Sequence, residues 1–242
     1  MASDAEARIW AVLGASGSGK GLWAKQQLRE LAPPRLVVWD FMNEYGEFVD
    51  KRYAVATGTT LATIQKAMVT AGDGPLRIRY CPRGTTEKQL RAEFEALCEL
   101  VYAWENCTFI AEELANVTTP GWAPASWKKM CTSGRHQRVH IIGFSQTPAL
   151  IDKTFLGNCT LIHCGPLREF NHRQAVAKSM DIDEGRIALL VKLQWLEKDF
   201  DSGKVTTGWV AKPGGRKRAT VDVAPTGPSP TGRGRRAPSV EA

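Results

Sequence analysis

The chain has 242 residues, 43% of them hydrophobic, with a formal net charge of +7. That is enough to bury the core of one large α/β domain. Six cysteines with no C-x-x-C pair favour reduced thiols, and no apolar run approaches the ~20 residues of a membrane span, so a soluble protein is expected, without a disulfide scaffold, secretory leader or membrane anchor.

Short apolar runs bounded by turn residues recur along the chain, and each predicts a strand. The first is "RIWAVLG" at 8–14, followed by a glycine-rich loop and a helical pattern that starts near Lys20. "RLVVWD" (35–40) is the second. Leu61, Ile64 and Met68 then fall on one helical face before the third run, "LRIRYC" (76–81). Leu90, Phe94, Leu97, Cys98 and Val101 form a longer stripe at the 3.6-residue period, ahead of "CTFIAEE" (107–113), "VHIIGFS" (139–145) and "CTLIHC" (159–164). Near-continuous apolar strands alternating with helices predict an α/β fold with a mostly parallel sheet flanked by helices, whose ligands bind at the carboxyl ends of the strands. "LQWLEKDFDSGKVTTGWVA" (193–211) places a turn between two β-prone runs and predicts a C-terminal β-hairpin on the sheet edge.

The expected domain spans 1–211. From Lys212 onward, seven Lys/Arg stand against Asp222 and Glu241, and ten residues are Pro or Gly, so 212–242 reads as a disordered basic tail suited either to phosphate backbones or to solubility alone.

Gly14-Ala15-Ser16-Gly17-Ser18-Gly19-Lys20 matches the phosphate-loop pattern G-x-x-x-x-G-K, placed between a strand and a helix as its mechanism requires. Backbone N–H groups and the helix N-terminus face one phosphate, and Lys20 neutralises the terminal phosphates. Gly21 follows where Ser or Thr normally supplies a hydroxyl to Mg²⁺. Nucleotide binding is less affected by this departure than hydrolysis is. "CTFIAEEL" ends in an acid pair, with Glu112 where a metal-facing acid belongs and Glu113 where a water-activating base belongs; two solvated glutamates opening a helix are the competing reading. "VHIIGFSQTP" ends at Gln146, an amide that can report the γ-phosphate, or simply a turn residue. Arg135, His136 and Arg138 precede it as either a trans-acting cluster or a plain basic surface. Cys159, His163 and Cys164 are close in sequence, but strand alternation sends them to different faces, so core packing is preferred over a metal site.

With these pieces in order, the chain resembles the HerA/FtsK superfamily of P-loop ATPases, above all the genome-packaging ATPases of membrane-containing icosahedral viruses, with zonula occludens toxin-like assembly ATPases as near relatives. "GASGSGKG", "VVWDFMNEYGEF", "CTFIAEEL" and "GRHQRVHIIGFSQTPALID" carry the resemblance; the second is similar to a D-x-x-G-E-Y segment through Asp40, Glu44 and Tyr45, with altered spacing. The resemblance implies a RecA-like core with an extra strand between the phosphate-loop strand and the acidic strand. It implies ATP at residues 14–21, Mg²⁺ supported by Glu112, water activated by Glu113, a γ-phosphate sensor in Gln146 and a trans arginine finger in Arg135. It further implies a hexameric homo-oligomeric ring that translocates double-stranded DNA, in the host cytoplasm or at a packaging vertex of the virion, with capsid vertex proteins as partners. The alternatives are a filamentous-phage-type assembly ATPase, a small P-loop kinase and a non-hydrolysing nucleotide-binding scaffold.

Overall fold

The computed structural model describes residues 7–211 and 221–222, so most of the tail expected at 212–242 lies outside the described residues. Nine described strands form one sheet, β1 (Ile9–Leu13), β2 (Arg35–Trp39), β3 (Leu76–Tyr80), β4 (Cys107–Ala111), β5 (Val139–Ser145), β6 (Leu161–Cys164), β7 (Gln194–Asp199), β8 (Val205–Trp209) and β9 (Val221–Asp222), in the order β3-β2-β4-β5-β1-β6-β7-β8-β9. The first six are parallel, and the last three join antiparallel. β5 lies between β1 and the acidic strand β4, which is the expected extra strand. The hairpin β7–β8 extends the sheet through β6.

Period-two alternation explains why the strands read as continuous apolar runs. Val37 and Trp39 of β2 join one core, while Leu36 and Val38 join the other. Both faces are covered, so both sets of side chains must be apolar. On the first face, helices α2 (Leu61–Ala71), α3 (Glu87–Trp104) and α4 (Ala125–Ser133) pack with α5 (Lys153–Gly157) and α6 (Phe170–Met180) around Phe94, Phe109, Trp127 and Phe155. α7 (Glu184–Ala188) adds Ile187 to this core. The second face is closed by α1 (Lys20–Leu31), whose Trp23 stacks on His163 with ring centroids 4.3 Å apart.

Local signals set the helix starts. α3 begins with a capping box: Thr86 Oγ1 accepts from the Gln89 amide and Gln89 Oε1 accepts from the Thr86 amide. α1 has no side-chain cap; its N-cap is Gly19 at φ 109°, a left-handed conformation that glycine adopts at low cost. The amides of its first turn are therefore available to an external acceptor. His163 pairs with Glu197 at 2.9 Å and the Cys164 thiol donates to the Gly165 carbonyl, so both are committed to packing. No helix of the described residues is long and apolar enough to cross a membrane.

Candidate functional site

The site assembles at the carboxyl ends of β1, β4 and β5. Leu13 is in register with Ser145 on one side and Cys164 on the other. The loop that leaves β1 is pinned between these neighbours: the Gly14 amide donates to the Ser145 carbonyl at 3.2 Å, and the Ala15 amide to the Pro166 carbonyl at 2.8 Å. Lys20 turns back over the loop it follows, donating from Nζ to the carbonyls of Gly14 (2.5 Å) and Ala15 (3.1 Å). Burial lowers its pKa, and Glu113, Glu112 and Cys164 oppose that shift.

Opposite the loop, β4 runs into Glu112 and Glu113. Glu113 has φ 49°, a left-handed backbone that a non-glycine residue adopts only at a cost of about 1 kcal/mol or more, and such strain collects where side-chain direction matters. The turn is closed by Asn116, whose amide donates to the Glu113 carbonyl. Gln146, one residue beyond β5, donates from Nε2 to Glu113 Oε1 at 2.6 Å. Two strands that neighbour each other in the sheet thus deliver an acid and an amide to one point.

Glu112 is buried, with Oε2 accepting from the Met42 amide at 3.1 Å. Burial pushes its pKa up to about 8; Asp40, Glu44 and Glu113 add to that rise, and the Met42 amide opposes it. A cation brought close to this carboxyl would favour its anionic form.

Met42 is placed by the loop after β2, and that loop is organised by Asp40. Its carboxylate, fully buried, accepts from the amides of Glu44 (2.7 Å) and Tyr45 (3.0 Å) and pairs with Arg79 at 2.7 Å. Arg79 also donates to Asn43 Oδ1 and to the carbonyls of Tyr53 and Ala54. Sequence reasoning noted Asp40, Glu44 and Tyr45 as a motif without a role; Arg79, in the middle of a strand pattern, carried no signal at all.

Arg135 is not brought to this site. It is exposed, in a single turn (134–137) that precedes β5, at the amino end of a strand whose carboxyl end carries Gln146. The seven residues of β5, roughly 20 Å at ~3.3 Å per residue, separate them. His136 on this turn and Arg138 just after it are exposed as well.

No family model matches the chain. It is 28% identical over 183 residues to Protein P9 of Pseudoalteromonas phage PM2, covering 74% of this chain and 78% of that protein. Among solved structures it is similar to the genome-packaging NTPase B204 of Sulfolobus turreted icosahedral virus 2 in complex with AMPPCP, with a TM-score of 0.64, 16% identity, and coverage of 83% of this chain and 96% of that one. The chain has the RecA-like P-loop NTPase fold. A bacterial conjugative coupling protein, TrwBdeltaN70, is similar as well, with a TM-score of 0.59 at 12% identity over 89% of this chain and 88% of that one. At these identities the likeness speaks for the fold, and the RecA-like core explains why the loop, the acid pair and the amide converge on the carboxyl ends of β1, β4 and β5.

Proposed function

We propose that the chain is an ATPase that moves double-stranded DNA into a viral capsid, working as a hexameric ring. The observation that carries this reading is the Gln146–Glu113 hydrogen bond facing the Lys20 loop from adjacent strands. An acid held by an amide next to a phosphate loop suits hydrolysis, with water as acceptor, and the amide changes partner when a γ-phosphate arrives. The similarity to a genome-packaging NTPase and a phage protein supports the viral assignment.

In this reading the amides of residues 14–21 and Lys20 bind the ATP phosphates, Glu113 orients and deprotonates the attacking water, and Gln146 holds Glu113 until nucleotide is bound. Mg²⁺ bound with the nucleotide would supply charge neutralisation at the phosphates, and Glu112, buried with no ion pair at contact distance among the described residues, is the residue that would hold it. Arg135, distant from its own chain's Lys20, serves the site of the adjoining subunit, and the basic segment from Lys212 supplies DNA or capsid contact. The ring operates in the host cytoplasm or at the virion vertex.

Phosphate release from ATP with Mg²⁺, with and without double-stranded DNA, tests this for the native protein beside Lys20→Ala and Glu113→Gln. DNA-stimulated turnover that drops on the order of a hundredfold or more in both variants is expected. ATP binding without turnover in the native protein would instead support a non-hydrolysing scaffold.

A further inference from the structure

Gly21 lies in the first turn of α1, and glycine is a weaker helix former than alanine. Space around it is partly taken. A methyl group on residue 21 would stand 3.4 Å from Glu44 Oε2, which is its nearest neighbour outside the helix. A carboxylate oxygen therefore sits beside the position from which a serine or threonine hydroxyl would project.

The Glu44 backbone is fixed for this purpose. Its amide and that of Tyr45 are both held by Asp40, and Asp40 is itself neutralised by Arg79. Asp40 is thus committed to the loop, leaving Glu44 and Glu112 as the carboxylates that converge from β2 and β4. The oxygen beside residue 21, Glu44 Oε2, is also the one that pairs with Lys25 Nζ at 3.5 Å, and the side chain is half-exposed. A second observation points inward: the Tyr45 hydroxyl, fully buried, lies beside Glu112 and makes no hydrogen bond of normal geometry among the described residues. A buried phenol beside Glu112, with no hydrogen bond of normal geometry to it, marks a polar space that the protein side chains leave incompletely satisfied.

We propose that the Glu44 carboxylate takes the place of the hydroxyl missing at Gly21, so that Glu44 and Glu112 together face the divalent cation that accompanies the nucleotide. This rests on the nucleotide-site reading above. Mg²⁺ commonly takes one or two carboxylates together with substrate phosphates, which this pair supplies.

Two binding measurements test it. The first is the affinity for a fluorescent, slowly hydrolysed ATP analogue with Mg²⁺ and with chelator, and the ratio of the two is compared among variants. The second is Mn²⁺ binding to the protein–analogue complex by electron paramagnetic resonance. Glu44→Gln is expected to reduce the metal-dependent ratio and the Mn²⁺ affinity by about tenfold or more. Glu47→Gln, on the same loop and paired with exposed Arg29, is expected to keep the native values. The double variant Gly21→Ser/Glu44→Gln, which restores a hydroxyl, is expected to recover most of the loss. Analogue binding with native metal dependence in Glu44→Gln, or an equal loss in Glu47→Gln, would overturn the proposal while leaving the nucleotide site standing. No analogue binding by the native protein would overturn both.

Discussion

Replacing Asp40 by alanine removes the acceptor on which the loop after β2 depends. The Arg79 guanidinium is 5% exposed and the Asp40 carboxylate 0%, so the variant leaves a buried positive charge whose remaining partners are a neutral amide oxygen and two carbonyls. Breaking a buried pair from one side costs about 3–5 kcal/mol. The amides of Glu44 and Tyr45 lose their acceptor too, at about 1–3 kcal/mol for each one that water does not reach. The contributions overlap because water that enters to solvate Arg79 also reaches the amides, giving an expected total of about 4–6 kcal/mol. Asp40→Asn keeps one oxygen acceptor and the shape, and about 2–3 kcal/mol is expected from the loss of charge-assisted bonds. Urea unfolding followed by circular dichroism measures both. A loss under about 1 kcal/mol in Asp40→Ala, with an unchanged slope, would refute the reasoning, since it would mean that water already screens the pair. A reduced slope together with a small loss would show instead that the loop opens on its own before the domain unfolds.

Two further outcomes follow from packing and titration. Gly143→Ala puts a methyl 2.5 Å from Phe155 Cζ and 2.8 Å from Leu114 Cδ1, both fully buried, and is expected to cost about 2–3 kcal/mol by thermal or urea unfolding, whereas a loss below about 0.5 kcal/mol would show that the core has slack there. Burial, with Arg8 adding to it, lowers the His140 pKa to about 4, below the ~6.5 of an unfolded chain. Its contribution is therefore complete above pH 6.5 and is lost as pH falls toward 4, because the unfolded chain takes up the proton first. With the ring partly exposed, about 1–2 kcal/mol of stability is expected to disappear between pH 7 and pH 5, and His140→Phe is expected to flatten that part of the profile.

The sheet was legible because burial on both faces makes each strand a short apolar run, and the alternation of such runs with helical stripes implies parallel crossovers. Glycine spacing marked the loop at 14–20, and position after a strand marked Glu112, Glu113 and Gln146, which the sheet brings to the same end as that loop. Glu44 was visible only as part of a motif. Its relation to Gly21 spans 23 positions and depends on a loop that turns back through bonds to Asp40, which no local periodicity records. Arg35 and Arg79 sit at strand positions that are buried only because their charge is matched, by the carbonyls that end α2 and α3 for Arg35 and by Asp40 for Arg79. A lone sequence carries no sign of such a match until the partner is placed.

In the proposed ATPase, the bonds from Lys20 to the carbonyls of Gly14 and Ala15 would bear on the exit step of a turnover cycle. An incoming phosphate must outcompete two acceptors already in place, so part of its attraction to the ammonium is spent on exchange and binding is weaker than the bare charge would give. A departing phosphate leaves no stranded cation behind, because the loop's own carbonyls are within reach of Nζ. Under that reading the loop carries a built-in competitor for its phosphate ligand, which would work against product lingering in the site.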